Sequence, residues 1–128
     1  MNETLKTLET RRSVRAYDPR PVEREKLEAI LAAGKYAPSA MGRQSVALAV
    51  LTKKEDIAEL SALNAAVMGS SGDPFYGAPC VVVVLADPAA TSAMNAQRDG
   101  SLVLGNLMNA AWSLGVSSCW INRAEEVF

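Results

Sequence analysis

Apolar residues recur along this chain with two periods: spacings of three and four that mark helices, and unbroken runs that mark strands. In residues 2–10, Leu5 and Leu8 lie one turn apart and Asn2 stands where a helix needs its N-cap. Pro21 precedes a second helical segment, about 22–36. Its stripe is Leu27, Ile30 and Leu31, with Glu23, Glu25, Lys26 and Glu28 on the wet side. Ala32, Ala33 and Gly34 add a small-residue patch that permits close packing, and Pro38 stops the segment. Val46–Leu51 is apolar throughout, the pattern of a strand covered on both faces. Thr52-Lys53-Lys54-Glu55 fits a capping box and predicts a helix over about 53–64 with Ile57, Leu60 and Leu63 inward.

A loop rich in Gly, Ser and Pro, 69–79, leads into a second covered strand, Cys80–Ala86, closed by Asp87-Pro88. A polar stretch with room for a short helix follows. Asp99 then precedes a long helical run, about 100–114, in which Leu102, Val103, Leu104, Leu107, Met108 and Trp112 leave almost no polar face. A helix apolar nearly all round is buried, and in so small a chain this predicts cover by a second subunit. Gly115 suits the C′ position. Val116–Asn122 reads as extended, and Arg123–Phe128 begins another helical pattern that stops with the chain.

Composition narrows the class. The length of 128 residues predicts a single domain, 1–128, with 49% apolar and 21% charged residues as in soluble globular proteins. A net charge of −1 argues against general nucleic-acid binding. With no histidine, His-based zinc sites and Ser-His-Asp triads are excluded. Two cysteines, Cys80 in an apolar run and Cys119, make neither a disulfide framework nor a metal-ligand pattern. No stretch resembles a signal peptide or approaches a membrane span, so a reduced, cytoplasmic setting is expected, with no membrane partner and no metal.

Charge is uneven, however. Lys6, Arg11, Arg12, Arg15, Arg20, Arg24, Lys26 and Lys35 place eight of the 13 Lys and Arg residues within the first 35 positions. Arg11-Arg12-Ser13-Val14-Arg15 sets three guanidinium groups around a hydroxyl. Guanidinium forks match phosphate oxygens and are costly to bury without an anion. Alone, the segment is more simply a solvated basic turn. Ala37-Pro38-Ser39-Ala40-Met41-Gly42-Arg43-Gln44 is a second polar loop, with a hydroxyl, an amide and another guanidinium. Gly-rich phosphate loops of the Rossmann or P-loop kind are absent.

The order of segments is more specific than any one of them. Arg11-Arg12-Ser13-Val14-Arg15-Ala16-Tyr17 is followed by Ala37-Pro38-Ser39 and Arg43-Gln44. Phe75-Tyr76-Gly77-Ala78-Pro79 then enters a Val-rich strand. Asp99 comes with its buried helix, and Ser113-Leu114-Gly115 and Ser118-Cys119-Trp120-Ile121 complete the series. Together these resemble the nitroreductase family of small FMN-dependent flavoenzymes, from about residue 5 to residue 128. The resemblance implies an α+β fold, with a central, mostly antiparallel sheet flanked by helices. It also implies an intertwined homodimer with FMN at the subunit interface. By matching positions, Arg11, Arg12, Ser13 and Arg15 are expected at the FMN phosphate and ribityl chain. Pro38, Ser39 and Ala40 are expected against the isoalloxazine from the other subunit, with Gln44 and Asn64 as further flavin contacts. Trp120, Ile121 and Asn122 would form a shelf over the ring, with a backbone N–H toward flavin N5. For Trp120, core filling weighs about equally, and Tyr76 is either a pocket aromatic or a loop anchor. Cys119 reads more simply as structural.

Two departures accompany the match. Gly42 stands where many members have Asn, and members usually continue beyond the end of this chain into a final strand and further basic residues. The domain is therefore expected to be incomplete at its C-terminus. The activity implied is hydride transfer from NAD(P)H through the flavin to a small electron-poor acceptor, such as a nitroaromatic or quinone. No catalytic side chain is named, because the cofactor carries the chemistry. Two alternatives remain: a non-catalytic flavin-binding or interaction protein on the same fold, and a small anion- or nucleic-acid-binding domain.

Overall fold

The computed structural model describes residues 1–123. Its elements run α1 (Glu3–Thr10), α2 (Arg24–Lys35), a 3₁₀ turn (Ala40–Gly42), β1 (Val46–Leu51), α3 (Lys54–Met68), β2 (Val81–Ala86) and α4 (Ala93–Ser113). The two strands pair antiparallel, Val46 opposite Ala86 and Leu51 opposite Val81.

Strand alternation assigns each face of this sheet to a different helix layer. Val46, Leu48, Val82 and Val84 pack on α2 and α4 around buried Ile30, Val103, Leu107 and Ala111. Ala49, Leu51, Val81 and Val83 face the other way, onto Leu60 of α3 and Phe75 of the 69–79 loop. The architecture is α+β, with the sheet between a helix pair and a helix-plus-loop layer. The continuous apolar runs therefore do mean packing on both faces, although Val50 and Leu85 keep 37% and 43% of their surface exposed.

The long helix differs most from its sequence pattern. It starts at Ala93, because the Ser92 hydroxyl accepts the Asn95 N–H at 3.1 Å and caps it there. The polar stretch is its first turns, not a separate short helix, and Asp99 lies inside the helix rather than ahead of it. Its buried stripe is Ala96, Asp99, Gly100, Val103, Leu107 and Ala111, a helical period, while Met94 and Leu102 remain 58% and 48% exposed. The all-round apolar pattern thus resolves into one face packed within the chain and a second left open.

Smaller corrections have local causes. The capping box does not form. Helix α3 begins one residue later, with Lys53 at the cap position and no side-chain bond there. It also runs on to Met68, where Gly69 supplies the left-handed residue at φ +67°. Asn2 does cap α1, its side chain accepting the Leu5 N–H at 2.9 Å. Gly115, at φ +76°, follows the α4 C-cap Leu114 as its composition predicts. Of the extended segment 116–122, one residue pairs: Ser118 forms a parallel bridge with Ser13. Cys80 precedes β2 and is half-buried, which pushes its thiol pKa up. The helical pattern expected from Arg123 onward lies outside the described residues after Arg123 itself.

Helices α2 and α4 meet closely at Gly34, where an added Cβ would stand 2.6 Å from Leu107 Cδ2 and 3.0 Å from Leu107 Cγ. Asn106 beside this contact donates its amide to the Ala33 carbonyl at 3.0 Å. Gly34→Ala gains helix propensity but overpacks the contact, and a net loss of about 1 kcal/mol is expected. The urea midpoint reads this directly, and a midpoint at or above wild type would show that Leu107 can step aside.

Candidate flavin site

Helix α1 ends at Arg11, whose extended backbone (φ −55°, ψ 136°) turns the chain out of the helix. The next residues run alongside 116–120: Ser13 bridges Ser118, and the Val14 N–H donates to the Ser118 carbonyl at 3.1 Å. The Tyr17 hydroxyl donates back to the Val14 carbonyl. Tyr17 is half-buried, and burial, with the nearby Cys119 thiol, pushes its pKa above the usual phenol value. A strand-like segment held in this way fixes where its guanidinium groups can reach.

Among the described residues those groups have no acidic partner. The ion pairs there join Arg20 to Asp18, Arg24 to Glu28 and Lys26 to Glu23 instead. Arg12 is exposed and donates from Nη1 to the Glu9 and Arg11 carbonyls at 2.8 and 2.9 Å. Arg15 and Ser13 are exposed. Arg11 is half-buried, and its Nη1 is fully buried with no hydrogen-bond partner among the described residues. A buried guanidinium nitrogen without an acceptor is destabilising, and an anion is a strong acceptor for it.

Residues 38–45 form a compact loop around the 3₁₀ turn. The Ser39 hydroxyl accepts the Gln44 N–H at 3.0 Å, and the Ser39 carbonyl accepts the Gly42 N–H at 3.0 Å. Met41, Gly42 and Gln44 all take left-handed backbone, at φ +53°, +65° and +49°. That conformation costs a non-glycine residue about 1–2 kcal/mol, and such strain concentrates at functional sites. Pro38, Met41 and Gln44 are exposed, while Ser39 and Ala40 are half-buried. The loop is anchored from α4 by Asp99, which accepts the Ala40 N–H at 2.9 Å and the Ser45 hydroxyl at 3.0 Å.

The expected site residues therefore fall into three groups. The first joins Arg11, Arg12, Ser13 and Arg15 to Trp120, Ile121 and Asn122 through the 13–118 bridge. In it Trp120 is 43% exposed, Ile121 packs on the second core, and Asn122 is exposed. The second is the Pro38–Gln44 loop. Asn64 stands apart in α3, 1% exposed, its amide donating to the Leu60 carbonyl at 2.9 Å and its Oδ1 buried without a partner. An unpartnered acceptor suits a ring N–H, yet the chain by itself encloses this residue.

Sequence reasoning did not pick out Ser45, Asp73 or the inward role of Asp99. Asp73 builds the 69–79 loop. Its carboxylate accepts Ser61 Oγ at 2.7 Å and the backbone N–H groups of Phe75 and Gly77 at 2.9 and 2.7 Å. The Gly72-Asp73-Pro74 turn signal could have marked it. Among the described residues no group of three His, Cys, Asp or Glu could hold a metal ion, and no helix is long and apolar enough to cross a membrane.

The sequence profile of the nitroreductase family matches residues 8–72 and 67–126. The chain belongs to that family. An archaeal relative from Archaeoglobus fulgidus, provisionally named NADH dehydrogenase/NAD(P)H nitroreductase, is 32% identical over 94% of this chain and 68% of its own length. A Bacillus subtilis protein named FMN reductase [NAD(P)H] is 34% identical over 68% of this chain, which covers 33% of that protein. Among solved structures, a nitroreductase with bound FMN from Desulfitobacterium hafniense superposes with a TM-score of 0.90. It is 33% identical, and the match covers 100% of this chain and 74% of that one. A second FMN-bound nitroreductase, from Bacteroides fragilis, gives 0.87 at 33% identity over 99% of this chain and 76% of its own. The fold expected from the segment order is thus the nitroreductase fold.

Burial works against the charged form of Asp73, but the bonds from Ser61, Phe75 and Gly77 outweigh it and hold the carboxyl below its usual pKa. A depressed folded-state pKa adds stability above the unfolded-state pKa, and that stability is lost as pH falls through the folded value. Asp73→Asn is expected to lower stability near neutrality and to flatten the acid limb of the stability–pH curve. Superimposable curves for the two proteins would contradict this.

Proposed function

We propose that this nitroreductase-family chain is an FMN-dependent oxidoreductase that uses NAD(P)H as reductant and works as a cytoplasmic homodimer. The observation that carries this reading is the buried Arg11 Nη1, without a partner among the described residues, beside Arg12 and Arg15 at the start of a segment tied to Ser118. The FMN-bound relatives of the same fold support it. The residues present fit the cofactor. Three guanidinium groups with no acidic partner among the described residues suit a phosphate, and charge-assisted bonds of this kind are about twice as strong as neutral ones.

In this reading Arg11, Arg12, Ser13 and Arg15 hold the phosphate and ribityl end. Pro38, Ser39, Ala40 and Gln44 border the ring from the partner subunit, while Asn64, enclosed within this chain, is assigned no ring contact. Trp120, Ile121 and Asn122 lie over the ring and shield it from water. FMN, when bound, supplies the hydride and electron chemistry that passes reducing equivalents to a small electron-poor acceptor such as a nitroaromatic or quinone. The protein needs no acid–base pair of its own for this, in keeping with its lack of histidine. The open apolar positions of α4, Met94 and Leu102, are where a second subunit would pack.

Purified protein should be yellow with bound flavin, and anaerobic NADH or NADPH should bleach it. Protein that stays colourless after mixing with FMN would contradict the proposal, and bound flavin that neither nucleotide bleaches would indicate a binding protein instead. Arg11→Ala is expected to weaken FMN binding by about 1.5–3 kcal/mol, the scale of a hydrogen bond to a charged group. Unchanged affinity in a fluorescence titration would place the phosphate elsewhere.

A further inference from the structure

Asp99 is an improbable residue for its position. It lies in the middle of α4, where Asp is a poor helix former, and it is only 2% exposed. Burying a carboxylate is costly, and none of the ion pairs among the described residues involves it. An apolar side chain would fill the same place in the stripe between Ala96 and Val103. Both oxygens are used, and both bonds go to one segment: Oδ1 accepts the Ala40 N–H and Oδ2 accepts the Ser45 hydroxyl. The two contacts bracket the stretch in which Met41, Gly42 and Gln44 adopt left-handed backbone.

We infer that Asp99 is a positioning residue that imposes the shape of the Pro38–Gln44 loop and so sets how that loop meets the isoalloxazine ring; this rests on the flavin reading above. Met and Gln do not favour left-handed backbone unaided, so the loop's form must be held from outside. Ser45 is a fixed base for this purpose, since its carbonyl also accepts the Asp87 N–H at 2.8 Å, just beyond β2. With Ala40 and Ser45 held, the Gln44 N–H reaches the Ser39 hydroxyl oxygen. The Ser39 proton is then left to donate to an acceptor outside the loop. The side chain at 99 does this because its planar fork bonds Ala40 and Ser45 at once, a fork that Asn shares and no apolar side chain has.

The test compares Asp99→Ala, Asp99→Asn and Gly34→Ala with wild type. Apoprotein is titrated with FMN and with riboflavin, and the visible absorption of bound flavin is recorded. The loop borders the ring and not the phosphate, so Asp99→Ala should weaken both ligands equally, by about tenfold, and shift the bound-flavin spectrum. Asp99→Asn should restore affinity and spectrum, because its carbonyl can accept the Ala40 N–H and its amide can donate to Ser45 Oγ. Gly34→Ala, destabilised at a different contact, should leave both untouched. Wild-type flavin affinities and spectrum in folded Asp99→Ala would overturn the inference. So would a loss confined to FMN, or failure of Asp99→Asn to restore. If Asp99→Ala does not fold, Ser45→Ala removes one of the two bonds. A several-fold loss for both flavins then supports the inference, and no loss overturns it. Wild-type protein that binds neither flavin sinks the underlying flavin reading, an outcome distinct from each of these.

Discussion

The inward stripe of α4 is the constraint on which the other parts of the chain depend. Val103, Leu107 and Ala111 bury against Ile30 and one face of the sheet. Gly34 lets α2 approach Leu107 almost to contact, and Gly100 brings the helix backbone near Val84. Trp112 donates its indole N–H to Thr10 at 3.0 Å, tying on α1, and Asp99 ties on the 38–45 loop. Close packing of small residues against large ones makes such a helix intolerant of added volume. Both segments assigned to the candidate site therefore take their position from it: the loop through Asp99, and the arginine segment through α1, which ends where that segment begins.

Among the described residues two buried side-chain polar atoms have no hydrogen-bond partner. One is Arg11 Nη1, in the guanidinium group next to those of exposed Arg12 and Arg15. The other is the Asn64 Oδ1, an acceptor closed off within α3. Native proteins leave few such atoms without reason. An anionic ligand at the arginine segment would complete the first, whereas the second is enclosed by the chain itself. The strained turn at Met41 and Gln44, held rather than relaxed, belongs to the same pattern.

Most of the fold was legible in the residues because its elements follow simple periods. Both strands and the first three helices lie close to where apolar spacing placed them, and Asn2 and Gly115 act at helix ends as their chemistry predicts. The family was legible from the order of short motifs. What could not be read was tertiary. Whether Asp99 precedes a helix or sits buried within one depends on Ser92 capping earlier and on Ala40 and Ser45 being near enough to donate. The capping box failed for a related reason: Thr52 has the right chemistry one position too early. The parallel bridge from Ser13 to Ser118 joins segments over a hundred positions apart, and no local pattern announces it.

The arginine segment is proposed as one wall of a phosphate site. The most direct measurement is an equilibrium titration of the wild-type apoprotein with FMN and with riboflavin, which differ by the phosphate alone, at low and high salt. FMN should bind tighter than riboflavin by about a hundredfold or more at low salt, the sum of charged hydrogen bonds to guanidinium, with the margin narrowing as salt rises. Equal affinity for the two flavins, or a preference that salt does not touch, would contradict it.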